Sequence, residues 1–292
     1  MRQDEARRRV RASILTPAGL DLEESLIHVI GGSAKRFHLK RSGSKPGPMT
    51  AYLTRPDQPA LAYRYRPGRG PTIVFLPGYR SDMEGEKATA LDAWAGREGR
   101  AMLRLDYSGC GASEGAFEDF TLADWRDDVL AMIGAFAPAG PLILVGSSMG
   151  GWLALLVALA LPGRVQAIVG IAAAPDFTDW GFSADVVELL RREGRIAEPS
   201  DYSDEPYVTT LGFWESGQAN LLLDGAIGFD GPVRLLHGER DDTVPVSIAL
   251  RLGRALRSGD VQTILIKEGD HRLSRPGDIA LLIATVARLM EP

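Results

Sequence analysis

The sequence predicts an α/β protein with one large domain built around a mostly parallel β-sheet. Apolar runs alternate with helical patterns over most of the chain, the runs are rich in Val, Ile and Leu, and 292 residues are enough for a large core. Strands of this composition are buried on both faces, as happens when helices cover both sides of a parallel sheet. We therefore expect about eight mostly parallel strands with helices on both faces.

The predicted sheet opens with two short antiparallel strands at residues 51–54 and 60–65, joined by a turn. Strands and helices then alternate as far as the C-terminus. The remaining predicted strands are 72–76, 101–105, 142–145, 165–172, 233–236 and 261–266. The predicted helices are 87–96, 121–136, 149–161, 246–256 and 278–290.

The first 48 residues differ from the rest in charge. They carry ten Lys or Arg and five Asp or Glu, so they have a net charge of +5 within a chain whose total is −5. Residues 41–48 have the Gly, Ser and Pro content of a linker. We expect 1–48 to be a poorly ordered N-terminal extension and 49–292 to be the folded domain. A transit peptide is the alternative, which the five acidic residues disfavour.

The segment 176–230 interrupts the strand–helix alternation. An insertion of this length is usually a functional lid or has structure of its own. It contains an amphipathic stretch at 183–192 and several aromatic residues: Phe177, Trp180, Phe182, Tyr202, Tyr207, Phe213 and Trp214. We expect a small helical cap over the carboxyl edge of the sheet. The alternative is a solvated insertion with its own small core.

Composition excludes several classes of protein. Apolar residues make up 45% of the chain and charged residues 24%, which is typical of a folded globular protein. The mildly negative charge disfavours nucleic acid as a partner. The apolar run 152–161 is too short to span a membrane. With one cysteine and four histidines, we expect no metal site and no cofactor, and the oligomeric state stays open.

The pattern Gly-x-Ser-x-Gly occurs twice, around Ser148 and around Ser113. A nucleophile elbow needs a buried strand, one sharp turn and then a helix, and only Ser148 has all three. Ser113 lies in a glycine-rich loop, where a structural role is expected. Asp106, at the start of that loop, is expected to bind the loop's backbone. The sequence therefore predicts Ser148 as the nucleophile, at a helix N-terminus that favours a developing anion.

A serine nucleophile needs a base, and the base needs a carboxylate. His271 follows the last predicted strand, and it alone completes the chain order Ser, Asp, His that accompanies the elbow. His237, at the end of a strand, precedes the candidate acids. Asp241 and Asp242 both follow that strand, and the spacing from Gly238 favours Asp241. Asp242 is then expected to cap a helix or to face solvent.

Two backbone N–H groups are expected to form an oxyanion hole. One belongs to Met149, the residue after the nucleophile. The other is expected in the loop after the strand 72–76, and Tyr79 is preferred because Gly78 permits the sharp turn before it. The alternative is that Pro77 and Gly78 form only a turn.

Five segments together resemble the α/β-hydrolase superfamily over residues 49–289. They are FLPGY at 75–79, RLDYSGCGAS at 104–113, LVGSSMGGW at 144–152, PVRLLHG at 232–238 and GDHR at 269–272. Within the superfamily the chain is similar to the mitochondrial palmitoyl-protein thioesterase branch, a member of which also cleaves acyl glucuronides. Leu76-Pro77, where a His often precedes the oxyanion glycine, and Tyr107, where Arg is common, depart from the wider pattern.

These residues predict hydrolysis of a carboxylic ester or thioester, including an S-acyl thioester, through an acyl-enzyme. The substrate is then a small molecule or an acylated protein, and the cap aromatics suggest a pocket for medium or long acyl chains. A perhydrolase or a small-ester esterase on the same triad is the enzymatic alternative, and a non-catalytic binding module is the other. Serine at position 148 disfavours dehalogenases and epoxide hydrolases, which use aspartate. We expect a cytoplasmic location, or the mitochondrial matrix if the source is eukaryotic.

Overall fold

The computed structural model describes residues 25–30, 33–41, 50–198 and 207–291. Twelve strands occur in these ranges: β1 Ser25–Ile30, β2 Ser33–Arg41, β3 Ala51–Arg55, β4 Gln58–Arg66, β5 Arg69–Leu76, β6 Arg100–Leu105, β7 Leu142–Ser147, β8 Val165–Ile171, β9 Arg195–Glu198, β10 Tyr207–Thr210, β11 Val233–Gly238 and β12 Val261–Ile266. The helices there are α1 Glu86–Arg97, α2 Leu122–Phe136, α3 Met149–Ala160, α4 Phe177–Trp180, α5 Ala184–Glu193, α6 Leu211–Gln218, α7 Val246–Ala255 and α8 Pro276–Leu289.

Ten of these strands form one sheet in the order β1-β2-β3-β4-β6-β5-β7-β8-β11-β12. The first four strands are antiparallel to their neighbours, and β4 pairs antiparallel with β6. From β6 to β12 every described pair is parallel. The carboxyl ends of β5, β7, β11 and β12 therefore lie along one edge. The prediction of a mostly parallel sheet with an antiparallel opening is confirmed.

Helices cover both faces of the sheet because the central strands are apolar on both sides. Four residues of β7, from Leu142 to Val145, have no exposed surface. Side chains of α2, α3 and α7 pack on one face of the sheet, and those of α1 and α8 pack on the other. Ten of the twelve residues of α3 are buried, so this helix is fixed directly behind the end of β7.

The predicted N-terminal extension is partly described. Its backbone forms β1 and β2, which the sequence did not predict, and β2 pairs with β3 from His38 opposite Thr54 to Arg41 opposite Ala51. Residues 1–24, 31–32 and 42–49 lie outside the described residues. The domain boundary after residue 48 therefore stays a prediction.

The insertion 176–230 contains α4, α5 and α6, as expected of a helical cap, and also the hairpin of β9 and β10. Ser183 caps α5, because its side chain accepts a hydrogen bond from the Val186 amide. A small core of its own, formed by Leu190, Ile196 and Trp214, holds α5 against the hairpin and α6. The hairpin was not predicted because both its strands are only four residues long.

Candidate active site

Ser148 occupies a sharp turn between β7 and α3. Its φ of 54° and ψ of −119° lie in a region that L-residues rarely adopt, and α3 begins at the next residue, Met149. A Cβ at Gly146 would lie 2.1 Å from the Gly150 carbonyl oxygen, and a Cβ at Gly150 would lie 2.0 Å from the Leu76 carbonyl oxygen. Backbone packing therefore requires both glycines. The half-buried Ser148 lies at the carboxyl end of the sheet.

His271 and Asp241 form a hydrogen-bonded pair at the same edge. The His271 Nδ1 lies 2.9 Å from Asp241 Oδ2 and 3.1 Å from Oδ1. Since a carboxylate only accepts, Nδ1 carries the proton and Nε2 keeps a free lone pair. The two residues follow β11 and β12, which are parallel neighbours with Gly238 opposite Ile266. Both loops therefore leave the sheet side by side.

The Asp241 carboxylate is fully buried and held by backbone amides. Its Oδ1 accepts hydrogen bonds from Thr243 N at 3.0 Å and from Val244 N at 2.8 Å. Burial raises the pKa of Asp241, but the hydrogen bonds from His271 and Val244 outweigh it, and the pKa lies below its ordinary value. The site therefore favours the ionised carboxylate. The neighbouring Asp242 is exposed.

Ser148 and His271 line one cavity of about 230 Å³. The cavity lies between the loop after β5, the start of α1 and the loop after β12. No hydrogen bond joins Ser148 Oγ to His271 Nε2 within the part of the chain that the structure describes. Hydrogen bonds between catalytic groups are often long in ligand-free enzymes and tighten when substrate binds.

The loop after β5 lies directly against the elbow. A Cβ on Gly78 would lie 3.4 Å from both the Ser148 Cβ and the Ser147 carbonyl oxygen. Tyr79 follows at once and lines the same cavity. Met149 is the first residue of α3, and the first amides of a helix have no acceptor inside the helix. Of the two residues predicted to form an oxyanion hole, Met149 therefore follows Ser148 directly, and Tyr79 lines the same cavity as Ser148.

The loop after β6 supports this region without facing the cavity. Asp106 accepts a hydrogen bond from Met83 N at 2.7 Å and another from a loop amide at 2.9 Å, as expected for a residue that binds backbone. Ser113 donates to the Asp106 carbonyl oxygen at 2.7 Å. The Tyr107 hydroxyl, fully buried, donates to the Pro77 carbonyl oxygen at 3.0 Å. The two departures from the wider superfamily pattern, at 76–77 and 107, are thus in contact.

Comparison with known families assigns the chain to one of them. A family model described as the alpha/beta hydrolase family matches residues 73–281, which include the elbow, Asp241 and His271. The chain belongs to the α/β-hydrolase family. It is therefore a hydrolase, and the predicted fold class and superfamily are confirmed.

Named relatives of this hydrolase are mitochondrial. The human protein named palmitoyl-protein thioesterase ABHD10, mitochondrial, is 42% identical over 245 residues, which are 82% of this chain and 80% of the human protein. The mouse protein of that name is 41% identical over 245 residues, which are 82% of each chain. The resemblance to the palmitoyl-protein thioesterase branch is thus confirmed.

Solved structures give the same result. Mouse alpha/beta hydrolase domain-containing protein 10 superposes with a TM-score of 0.76 and 39% identity, covering 82% of this hydrolase and 97% of the mouse chain. A protein from Agrobacterium vitis S4 superposes with a TM-score of 0.74 and 37% identity, covering 88% and 99% of the two chains.

Three of the cap aromatics pack against the cap and do not line the Ser148 cavity. The Trp180 and Trp214 indoles donate to the backbone carbonyls of Pro175 and Thr178. Trp214 and Phe182 pack in the cap core, and none of these three rings lines the hydrolase's cavity. The side chains of Tyr202 and Tyr207 lie outside the described part. Trp180, Phe182 and Trp214 therefore pack away from the Ser148 cavity, and the acyl pocket expected from the cap aromatics stays a prediction.

Sequence reasoning missed the polar wall of the cavity in this hydrolase. Lys87 at the start of α1 and Arg272 beside His271 both line it, and the Lys87 amine donates to the Arg272 carbonyl oxygen. Burial, and then the charge of Arg272, lower the pKa of Lys87. Both residues follow predicted strands at the carboxyl edge, which was the available signal.

Within the described ranges, no group of three or more His, Cys, Asp or Glu side chains is placed to hold a metal ion. No helix in those ranges is long and apolar enough to cross a bilayer.

Proposed function

We propose that this α/β-hydrolase cleaves a carboxylic ester or thioester through an acyl-enzyme, with Ser148 as nucleophile, His271 as general base and Asp241 as the orienting carboxylate. One observation carries the proposal: the hydrogen-bonded His271–Asp241 pair and the strained Ser148 meet at one cavity. A loop serine alone is weak evidence, whereas this arrangement has the order and geometry of a nucleophile elbow with its base.

In the proposed reaction, Ser148 Oγ attacks the carbonyl carbon while His271 Nε2 takes the hydroxyl proton. The carbonyl oxygen becomes an oxyanion that accepts hydrogen bonds from the backbone N–H groups of Tyr79 and Met149. The tetrahedral intermediate collapses, and His271 gives its proton to the leaving alcohol or thiol. Water then attacks the acyl-enzyme with the same base, releasing the carboxylic acid and restoring Ser148.

Electrostatics support these roles. The ionised Asp241 lies 2.9 Å from His271 Nδ1, so it stabilises the imidazolium that forms in each half-reaction. Because Asp241 is buried away from water, this attraction is stronger than it would be on the surface. Ser148 lies at the N-terminus of α3, where the helix dipole favours the developing negative charge.

The substrate we propose is an acyl thioester, on a small molecule or on a protein. Relatives over 40% identical across four fifths of the chain are named palmitoyl-protein thioesterases, which supports this class. A second candidate, a short-chain esterase, is favoured by the cavity. Its volume of about 230 Å³ lies below the 300–1,000 Å³ usual for drug-sized ligands. A long acyl chain therefore does not fit within this cavity alone.

The cellular compartment that we propose depends on whether the chain comes from a eukaryote or a bacterium. The mitochondrial names of the relatives support the matrix for a eukaryotic chain. For a bacterial chain, the cytoplasm stays the proposed location.

A fluorophosphonate probe tests the nucleophile. We expect it to label the wild-type protein at Ser148 and not to label Ser148→Ala, which also loses hydrolysis. Ser113→Ala is the matched control, since it removes the serine of the other Gly-x-Ser-x-Gly pattern and should keep the label. Full activity of a folded Ser148→Ala protein would contradict the proposal that Ser148 is the nucleophile.

A chain-length series separates the two substrate candidates. Acyl thioesters and matched p-nitrophenyl esters would be compared from acetyl to palmitoyl by kcat/KM. A rise with chain length in the thioester series supports the thioesterase. A steady fall beyond butyryl in both series supports the short-chain esterase and rejects the long-acyl substrate.

A further inference from the structure

His237 is a buried histidine that the proposed mechanism does not use. It is the second-to-last residue of β11 and is 1% exposed. Its Nε2 lies 2.9 Å from the Val244 carbonyl oxygen and 3.4 Å from Asp241 Oδ2. The same Oδ2 atom lies 2.9 Å from Nδ1 of His271. Two imidazole rings therefore each have a nitrogen within 3.4 Å of the same carboxylate oxygen.

The hydrogen bond to Val244 fixes the tautomer of His237. A carbonyl oxygen only accepts, so Nε2 must carry the proton. That N–H binds the Val244 carbonyl oxygen, whereas Asp241 Oδ2 lies 3.4 Å from Nε2 as an electrostatic neighbour and not as a hydrogen-bond acceptor. The opposite nitrogen, Nδ1, is buried and has no hydrogen-bond partner among the described residues. An apolar side chain would fill this space without burying such an acceptor, so packing alone does not account for an imidazole here.

The contacts of His237 also close the turn that carries the acid. Val244 donates its N–H to Asp241 Oδ1 at 2.8 Å and accepts from His237 through its carbonyl group. The Asp241 amide reaches back to the Gly238 carbonyl oxygen at 3.3 Å. The turn from Asp241 to Val244 is therefore bound to the end of β11 at both of its ends. Its first residue is bound through a backbone hydrogen bond, and its last residue is bound through the side chain of His237.

We propose that His237 is a positioning residue for Asp241: its Nε2–H binds the Val244 carbonyl oxygen and fixes the turn so that Asp241 Oδ2 faces His271 Nδ1. This inference rests on the proposed function of the triad. Without His237, the turn would keep the backbone bond from Asp241 to Gly238 but would lose the bond that holds Val244, whose amide binds Asp241 Oδ1. The carboxylate could then shift with the turn, and His271 would lose its fixed direction toward Ser148.

Three substitutions test the proposal. The amide of Gln reaches the position of His Nε2, whereas the amide of the shorter Asn reaches the position of Nδ1. His237→Leu removes every donor. We expect kcat on a p-nitrophenyl ester to fall about tenfold in His237→Leu and His237→Asn with KM within about twofold, and His237→Gln to recover most of the loss.

A spectroscopic readout separates positioning from general support of the fold. The Nδ1–H proton of His271 should give a downfield resonance in the wild type and in His237→Gln. It should shift or broaden in His237→Leu and His237→Asn while the Tm of each variant stays close to wild type. Wild-type kcat in His237→Leu, or equal losses of kcat and Tm in all three variants, would overturn the proposal. Ser148→Ala is assayed alongside, because its retained activity would instead refute the triad.

Discussion

The hydroxyl oxygen of Tyr79 lies 3.4 Å from Thr209 Oγ1, so a residue that lines the Ser148 cavity reaches strand β10 of the cap. Its neighbour Arg80 donates to the Val208 carbonyl oxygen at 2.8 Å, on the same strand. The loop that carries a proposed oxyanion donor is therefore attached to the cap by two consecutive side chains. A displacement of β10 should therefore also displace the loop that carries this proposed oxyanion donor.

Two substitutions of Tyr79 separate the effect of its hydroxyl group from the effect of its ring packing. The ring packs against Phe177 and Phe213 of the cap at 5.8 and 5.0 Å between centroids. Tyr79→Phe keeps those contacts and loses the hydrogen bonds of the hydroxyl with Thr209 and Arg80, so we expect kcat to change by less than about threefold. Tyr79→Ala loses both, and we expect kcat to fall about a hundredfold, as when one oxyanion donor is displaced.

Steady-state kinetics on one ester substrate check this pair. Tm measurements on both variants serve as the control for folding. Equal losses in Tyr79→Phe and Tyr79→Ala would contradict the role given to the ring.

Gly150 should tolerate no side chain. A Cβ there would lie 2.0 Å from the Leu76 carbonyl oxygen, which belongs to the rigid end of β5. Gly150→Ala must push α3 away from that strand, and we expect it to lower the free energy of unfolding by about 3 kcal/mol. Gly225→Ala is the matched control, since nothing lies within 4 Å of a Cβ there and its effect should stay within about 0.5 kcal/mol. Urea denaturation of both variants measures the difference.

The strands, most helices and the gathering of the candidate site residues at one edge could be predicted because local pattern encodes them. The run before Ser148 is apolar and bounded by glycine, so its strand, turn and helix follow from neighbouring residues. Asp241 and His271 were predicted because each follows a strand whose carboxyl end must reach the same edge. Element bounds differ from the predicted ones by only a few residues.

The cavity walls and the hairpin of the cap could not be predicted in this way. Lys87 and Arg272 meet although 185 positions separate them, and their contact depends on how two loops cross the sheet edge. Strands β9 and β10 are too short for their pattern to stand out. The direction of the cap rings depends on packing within the cap, which sequence spacing does not record.

Cys110 should be unreactive in the folded protein. It is 5% exposed, and burial, followed by the charges of Asp106 and Asp128, raises the pKa of Cys110 from 9.0 to about 12. The thiolate fraction at pH 8 is then about a thousandfold lower than at a pKa of 9.0. We expect iodoacetamide to leave the native protein unmodified and to modify this thiol in denaturing urea, as followed by mass spectrometry. Modification of the native protein at the rate seen in urea would show that the thiol is accessible.

Asp241 and Asp242 form a matched pair for testing the acid. Asp241 is buried and bonded to His271, whereas its neighbour is exposed. We expect Asp241→Asn to lower kcat about 10⁴-fold, because an amide at this place no longer stabilises the imidazolium and can select the wrong tautomer of His271. Asp242→Asn should leave kcat unchanged within about twofold. Equal effects in the two variants would remove Asp241 from the triad.

The contribution of Asp241 to the stability of the fold should depend on pH with a definite sign. Hydrogen bonds from His271 and Val244 outweigh burial and place the folded-state pKa of Asp241 below its ordinary value. Its ionisation therefore contributes stability that is complete above the unfolded pKa of about 3.9 and is lost as the pH falls through the folded value. Urea denaturation should show wild type more stable than Asp241→Asn at pH 7, with a smaller difference near pH 3. A difference that grows on acidification would mean that the folded protein favours the protonated carboxyl instead.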